Sequence, residues 1–424
     1  MNKTLQQSTS QNTDQFILPF SFIISSLIFL VIFSVGLASN PGVFSFESLR
    51  SPAALAMAHL FILGWATMLA MGAVYQLIQV VSQRPVHSSK LGFIHFGLYI
   101  SGVTGLYISL PDFNLPALII FGLLTVAGVV CFLVNVLLTL KDSQLVNPVI
   151  SATKSALLYL GLTVATGLIM VLNFRFGFLG TFHNGIFLLH LWAGLIGWFL
   201  FLIAGYSFKM LPMFFLAHGH DEKWQKWILI ALHGAIWVSA AAGAAGMASV
   251  FLPFSLALLS LGLVMLLVQI SEIRKNKFKK NPGRGINFFI TLLKGFTALS
   301  VVLFLLSIVN VGFLLQYSVL GPILMFYIFG FISLSIAAYL SKIIPFLWWT
   351  FRYGGQVGQK ETPSLAIMVD ENVAERKLWF QLAALILFIC SLWTGLQFLI
   401  IGTAILFAFT IIFYILTIGK AFTY

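Results

Sequence analysis

Apolar residues run along this chain in stretches of about twenty, parted by short polar breaks. At about 1.5 Å per residue, a stretch of that length crosses the roughly 30 Å core of a bilayer as a helix. The stretches fall at 17–38, 54–80, 91–110, 115–140, 153–172, 183–207, 226–248, 250–271, 288–308, 318–341, 376–397 and 398–418. This predicts an all-α polytopic membrane protein with twelve transmembrane helices. A β-barrel is excluded, because its strands are about ten residues long and alternate in polarity. The polar start, Met1 to Gln15, precedes an apolar run too long for a signal-peptide core, so the first helix is expected to stay. The longest break is Trp348 to Arg376, so 1–424 is read as a single membrane domain without a soluble part.

A pattern recurs every 133 residues. Gly64-Trp65 with Gly72 becomes Gly197-Trp198 with Gly205, and then Gly330-Phe331 with Ala338. Each is followed by a polar residue and an apolar pair: Gln76, Leu77 and Ile78; Lys209, Met210 and Leu211; Lys342, Ile343 and Ile344. Pro212 and Pro345 close the second and third copies, where the first has Gln79. A unit this long is a sub-bundle and not a solenoid turn. The expected repeats are approximately 17–149, 150–282 and 283–424, with four helices each. An even number of spans inserts every copy the same way, so the symmetry axis is expected along the membrane normal. The shared glycines let a neighbouring backbone or a flat cofactor approach closely, and helix packing explains them equally well.

Composition agrees: 60% of residues are hydrophobic, 8% are charged, and the mean hydropathy is +1.03. A net charge of +12 suggests nucleic acid, but its distribution does not. Under a twelve-helix count, only Arg50 and Arg175 fall in loops of one side. The other Lys and Arg residues, including Arg274, Lys275, Lys277, Lys279, Lys280 and Arg284, gather at the other. Positive residues stay inside, so a plasma-membrane protein with both termini cytoplasmic is expected. The basic run reads as a topology anchor that can also touch anionic lipid heads. Cys131 and Cys390 lie within apolar helices and suggest neither a disulfide nor a thiolate metal site.

No Asp or Glu lies mid-span: Glu47 and Asp112 are in outer loops, and Glu272 ends a helix. Buried carboxylates normally relay protons, so proton pumping and proton-coupled transport lose weight. Histidine remains. His59, His95, His190 and His233 lie within spans, and His183 sits at an outer mouth. Counting residues puts His59 about 12 Å and His190 about 8 Å to the outer side of the midplane. His95 and His233 fall to the inner side. Neutral imidazole binds iron or copper well. Two imidazoles on one haem need similar depth, a condition that His59 and His190 meet. His183 and His190 are seven residues apart on one face, roughly 10 Å along the axis, too far to share an ion. For each histidine, the alternative reading is a polar side chain bonded to a neighbouring carbonyl. His87, His218 and His220 fall in loops, and His218-Gly219-His220-Asp221-Glu222 reads as a solvated turn before a weak metal site. Trp65, Trp192 and Trp198 share helices with the outer histidines and can wall a pocket.

Twelve helices in three arcs, with histidines on the second, sixth and seventh, resemble the haem–copper oxidase superfamily. Two segments carry the likeness: Met57-Ala58-His59-Leu60 through Gly64-Trp65 to Tyr75-Gln76, and His190-Leu191-Trp192 through Gly197-Trp198 to Lys209-Met210-Leu211-Pro212. They look like those of short, single-chain subunit-I-like proteins. Haem-containing membrane proteins of the nitric-oxide response are a more distant likeness. The resemblance implies that His59 holds a haem near the outer face and that His183 or His190 binds copper. His233 stands where the family has a histidine pair. The family's His-x-His on the tenth helix is missing, and the place equivalent to His59 there is Met325, an axial ligand of another kind. The usual two-haem oxidase site therefore cannot be assembled in the family's way.

These readings together give the expected function. It is a haem-dependent membrane oxidoreductase of divergent oxidase-like site, handling nitric oxide or oxygen without pumping protons. The expected cofactor is a b-type haem, with copper an option, fed by quinol or a small electron carrier. The expected ligands are His59 and His190, with Gly64, Trp65, Gly197 and Trp198 around them and His233, His183 and His95 as further metal candidates. A transporter or channel for a neutral small molecule or for haem, and a non-catalytic assembly or sensor partner, remain open alternatives. No nucleic-acid partner is expected.

Overall fold

The computed structural model describes residues 2–143, 145, 147–357 and 359–424, with backbone alone over 2–15. The side chains of the polar start therefore lie outside the described residues. Among the described residues, twelve helices are long and apolar enough to cross a membrane, and the chain is an all-α, multi-pass membrane protein. The helices are α1 Phe16–Ser39, α2 Pro52–Ser82, α3 Ser89–Ser109, α4 Leu115–Ser143, α5 Pro148–Phe176 and α6 Gly180–Phe215. They continue as α7 Lys223–Ala244, α8 Ala248–Lys275, α9 Arg284–Leu314, α10 Tyr317–Gln356, α11 Glu371–Thr394 and α12 Gln397–Thr423.

Where hydropathy set the helix ends a few residues off, capping chemistry explains the difference. α5 begins at Pro148 because Asn147 accepts the Ile150 N–H at 2.9 Å and proline fits the first helical turn. Ser51 and Ser88 cap α2 and α3 in the same way. α6 runs through Pro212 and ends at Leu216, which takes a left-handed φ of 50°. There the Ala217 N–H reaches back to the Pro212 carbonyl at 2.9 Å. α10 runs through Pro345 and absorbs the start of the stretch expected as a break after Trp348.

Two compact units form. One holds the chain up to Gln76 with Gly283–Leu292 and Gly321–Tyr424, and the other holds Leu77–Pro282 with Leu293–Leu320. In the first, Phe33 of α1, Phe61 of α2 and Phe329 of α10 meet with ring centroids 4.6–5.4 Å apart. In the second, α3 and α4 touch closely where a methyl at Gly128 would lie 2.9 Å from the Tyr99 backbone. Lipid tails are as apolar as these side chains, so close van der Waals packing through small residues has to hold such helices together.

Three helices share a local departure. α2, α6 and α10 each contain a π-helical segment, at Leu60–Thr67, Ala193–Leu200 and Phe326–Ile332. Their starts are 133 residues apart each time. A second feature keeps the same spacing. Gly72 closes on Pro19, Gly205 on Ala152, and Gly285 on Ala338. In the third pair the glycine has moved to the opposite helix.

Candidate functional site

His59, Trp192 and Met325 are each the residue immediately before a π-segment. Such segments occur frequently at functional sites, because the widened turn displaces the groups beside it. His59 is half-buried, and its Nδ1 lies 2.8 Å from the Leu55 carbonyl oxygen one turn earlier. A carbonyl only accepts, so Nδ1 carries the proton and Nε2 the lone pair.

His190 lies in the second unit and reaches the same tautomer by a different route. Its Nδ1 donates to the Thr163 carbonyl on α5 at 2.9 Å. Thr166, whose hydroxyl donates to its own helix, stands 3.4 Å from the same nitrogen. The ring fits because position 167 is glycine: a methyl there would lie 3.1 Å from His190 Cε1. Thr163, Thr166 and Gly167 escaped the sequence reading. Their signal is a run of small and polar residues within an apolar helix.

Three other histidines lie in other surroundings. Tyr159 and Ser155 of α5 bond both ring nitrogens of His233, at 2.5 Å to Nδ1 and 3.0 Å to Nε2. His95 is fully buried, with its ring 5.1 Å from that of Phe132 and 5.8 Å from that of Tyr99. At the end of the membrane, the Asn173 amide donates to His183 Nδ1 at 3.2 Å, which puts the imidazole proton on Nε2. The same Asn173 accepts the Leu179 N–H through its oxygen, fixing which way its amide faces.

The paired glycines and indoles serve packing. A methyl at Gly64 would lie 2.8 Å from Phe29, and one at Gly197 would strike the Tyr159 ring. Trp65 and Trp198 are buried, and Trp65 donates to the Ser333 hydroxyl at 3.2 Å. In the turn at 218–222, Asp221 pairs with Lys223 at 2.8 Å, which holds its carboxyl below the usual range. His220 there lies 3.6 Å from Glu222. Among the described residues, no three His, Cys, Asp or Glu side chains converge as a metal site would need.

No protein-family model matches the chain, and no curated protein matches it significantly.

Proposed function

We propose that this chain is an integral membrane haem protein of divergent oxidase-like character, with His59 in one unit and His190 in the other each a haem ligand. One observation carries the reading: both imidazoles bind a backbone carbonyl through Nδ1. A carbonyl acceptor of this kind fixes ring orientation and raises the basicity of Nε2, the nitrogen that would meet iron. His233 lacks that arrangement, because hydroxyls bond both of its ring nitrogens. A b-type haem would supply one-electron chemistry and a place for a diatomic gas, with nitric oxide preferred over oxygen and quinol or a small carrier as electron source. The equal spacing of the π-segments and of the close approaches supports three four-helix repeats. The distribution of basic residues supports a plasma-membrane setting with cytoplasmic termini.

The test is a reduced-minus-oxidised absorption spectrum of the purified protein, with haem and copper quantified. A stoichiometric b-type signal is expected, lost or shifted in His59→Ala or His190→Ala and kept in His233→Ala. Shifts on adding nitric oxide or carbon monoxide then report an open position on the iron. A colourless protein from cells well supplied with haem overturns the reading and leaves the small-molecule transporter in front.

A further inference from the structure

Within the first unit, α11 and α12 leave an apolar groove of about 530 Å³. Phe380, Leu387, Leu406 and Phe413 line it, and each is 45–64% exposed, so the groove opens away from the protein. Among the described residues, its charged lining is Arg376 and Lys377, both near the start of α11. Lys377 Nζ stands 4.7 Å from the centre of the Phe413 ring, a cation–π contact that keeps the ammonium at the mouth of the groove.

The charges around that mouth are unevenly compensated. Glu371 pairs with Lys342, and Glu375 with Arg284 at 3.2 Å, so the nearest carboxylates on α11 are already engaged by other cations. Arg376 bonds the Asn372 carbonyl at 3.4 Å and feels Asp370 across the helix start. Among the described residues, neither Arg376 nor Lys377 has a carboxylate within ion-pair distance. A cation at the edge of the hydrocarbon is costly without an anion or water to meet it. From Lys377 to Leu387 the groove follows α11 for about 15 Å, which is about half the hydrocarbon thickness of a bilayer. A positive mouth at the helix start and an apolar trough one leaflet deep are the dimensions of a phospholipid.

We propose that this groove binds an anionic phospholipid, with its phosphate on Arg376 and Lys377 and one acyl chain along Phe380 and Leu387. The headgroup charge sets the preference, and the trough sets the requirement for a chain.

The full-length protein in detergent, mixed with equal phosphatidylglycerol and phosphatidylcholine of matched chains, is examined by native mass spectrometry. Selective retention of phosphatidylglycerol is expected. The double variant Arg376→Gln/Lys377→Gln should weaken it about 30-fold, at about 1 kcal/mol for each basic side chain near an anionic surface. Ala383→Trp fills the trough without touching the charges, and it should abolish retention of the lipid while the protein keeps its melting temperature. Inorganic phosphate alone should not bind detectably. Equal retention of both lipids, retention unchanged in the double variant, or phosphate binding without a chain overturns the proposal. A dimer that Ala383→Trp dissociates also overturns it, because the occupant is then a second copy of the chain.

Discussion

Gly197 and Gly330 hold the same place in their helices, yet a methyl group added to each would meet different surroundings. At Gly197 it strikes the inner atoms of the Tyr159 ring, which cannot swing aside, whereas at Gly330 it lies 3.2 Å from the tip of Leu385. Gly197→Ala should therefore destabilise the protein by about 1–3 kcal/mol, the cost of overpacking. Gly330→Ala should stay within about 0.5 kcal/mol of the parent. Thermal unfolding in detergent separates the two. At this scale the sequence was only partly legible. It marked His59 and His190 as chemically distinctive, but an imidazole looks the same whether a carbonyl or a hydroxyl holds it. The hydroxyls that occupy His233 come from residues 74 and 78 positions away, a pairing that no local pattern encodes. Gly167 beside His190 had no signal beyond being small.

At the scale of the element, caps and π-segments matter most. Asp370 caps α11, accepting the Asn372 N–H at 2.8 Å and the Val373 N–H at 3.3 Å, and these bonds hold its carboxyl below the usual range. A lowered folded value means the cap is fully present above the ordinary carboxylate pKa and is lost as pH falls through the lowered one. Hydrogen-exchange protection at Asn372 and Val373 should therefore drop in acid. Asp370→Asn, which keeps an accepting oxygen, should remove that pH dependence. The π-segments invite a second test. Deleting one residue within Leu60–Thr67 lets that turn relax to α-helix, with the flanking faces kept in register. The same deletion in the middle of α4 rotates everything beyond it by about 100°. Fluorescence-detected gel filtration should show a monodisperse protein in the first case and aggregate in the second. Hydrophobicity revealed both helices, because the bilayer demands it of both, but nothing in composition distinguished a π turn from an α turn.

For the molecule as a whole, the twelve spans were legible because lipid imposes length and apolarity on each of them. The division into two units was not, since its boundaries cut through α2, α9 and α10 and follow packing that hydropathy does not record. The equal spacing of the close helix approaches makes a sharper prediction. Gly205→Ala alone puts a methyl 2.5 Å from Ala152 Cβ and should lower the melting temperature. Adding Ala152→Gly removes that atom, and the next neighbours then stand 3.8 and 3.9 Å away. The double variant, which copies the arrangement of Gly285 and Ala338, should melt close to the parent. If it melts with the single variant, the third pair is not an equivalent of the second.

The π-segments have one more consequence, for descent. A π turn holds one residue more than the α turn it replaces. A related helix without that residue would align with α2 only through a gap between Leu60 and Thr67, in the middle of a span whose length the bilayer otherwise fixes. The π-segments of α6 and α10 follow at the same spacing. A homologue whose sixth or tenth helix lacks the extra residue should show the same one-residue gap, at Ala193–Leu200 or Phe326–Ile332.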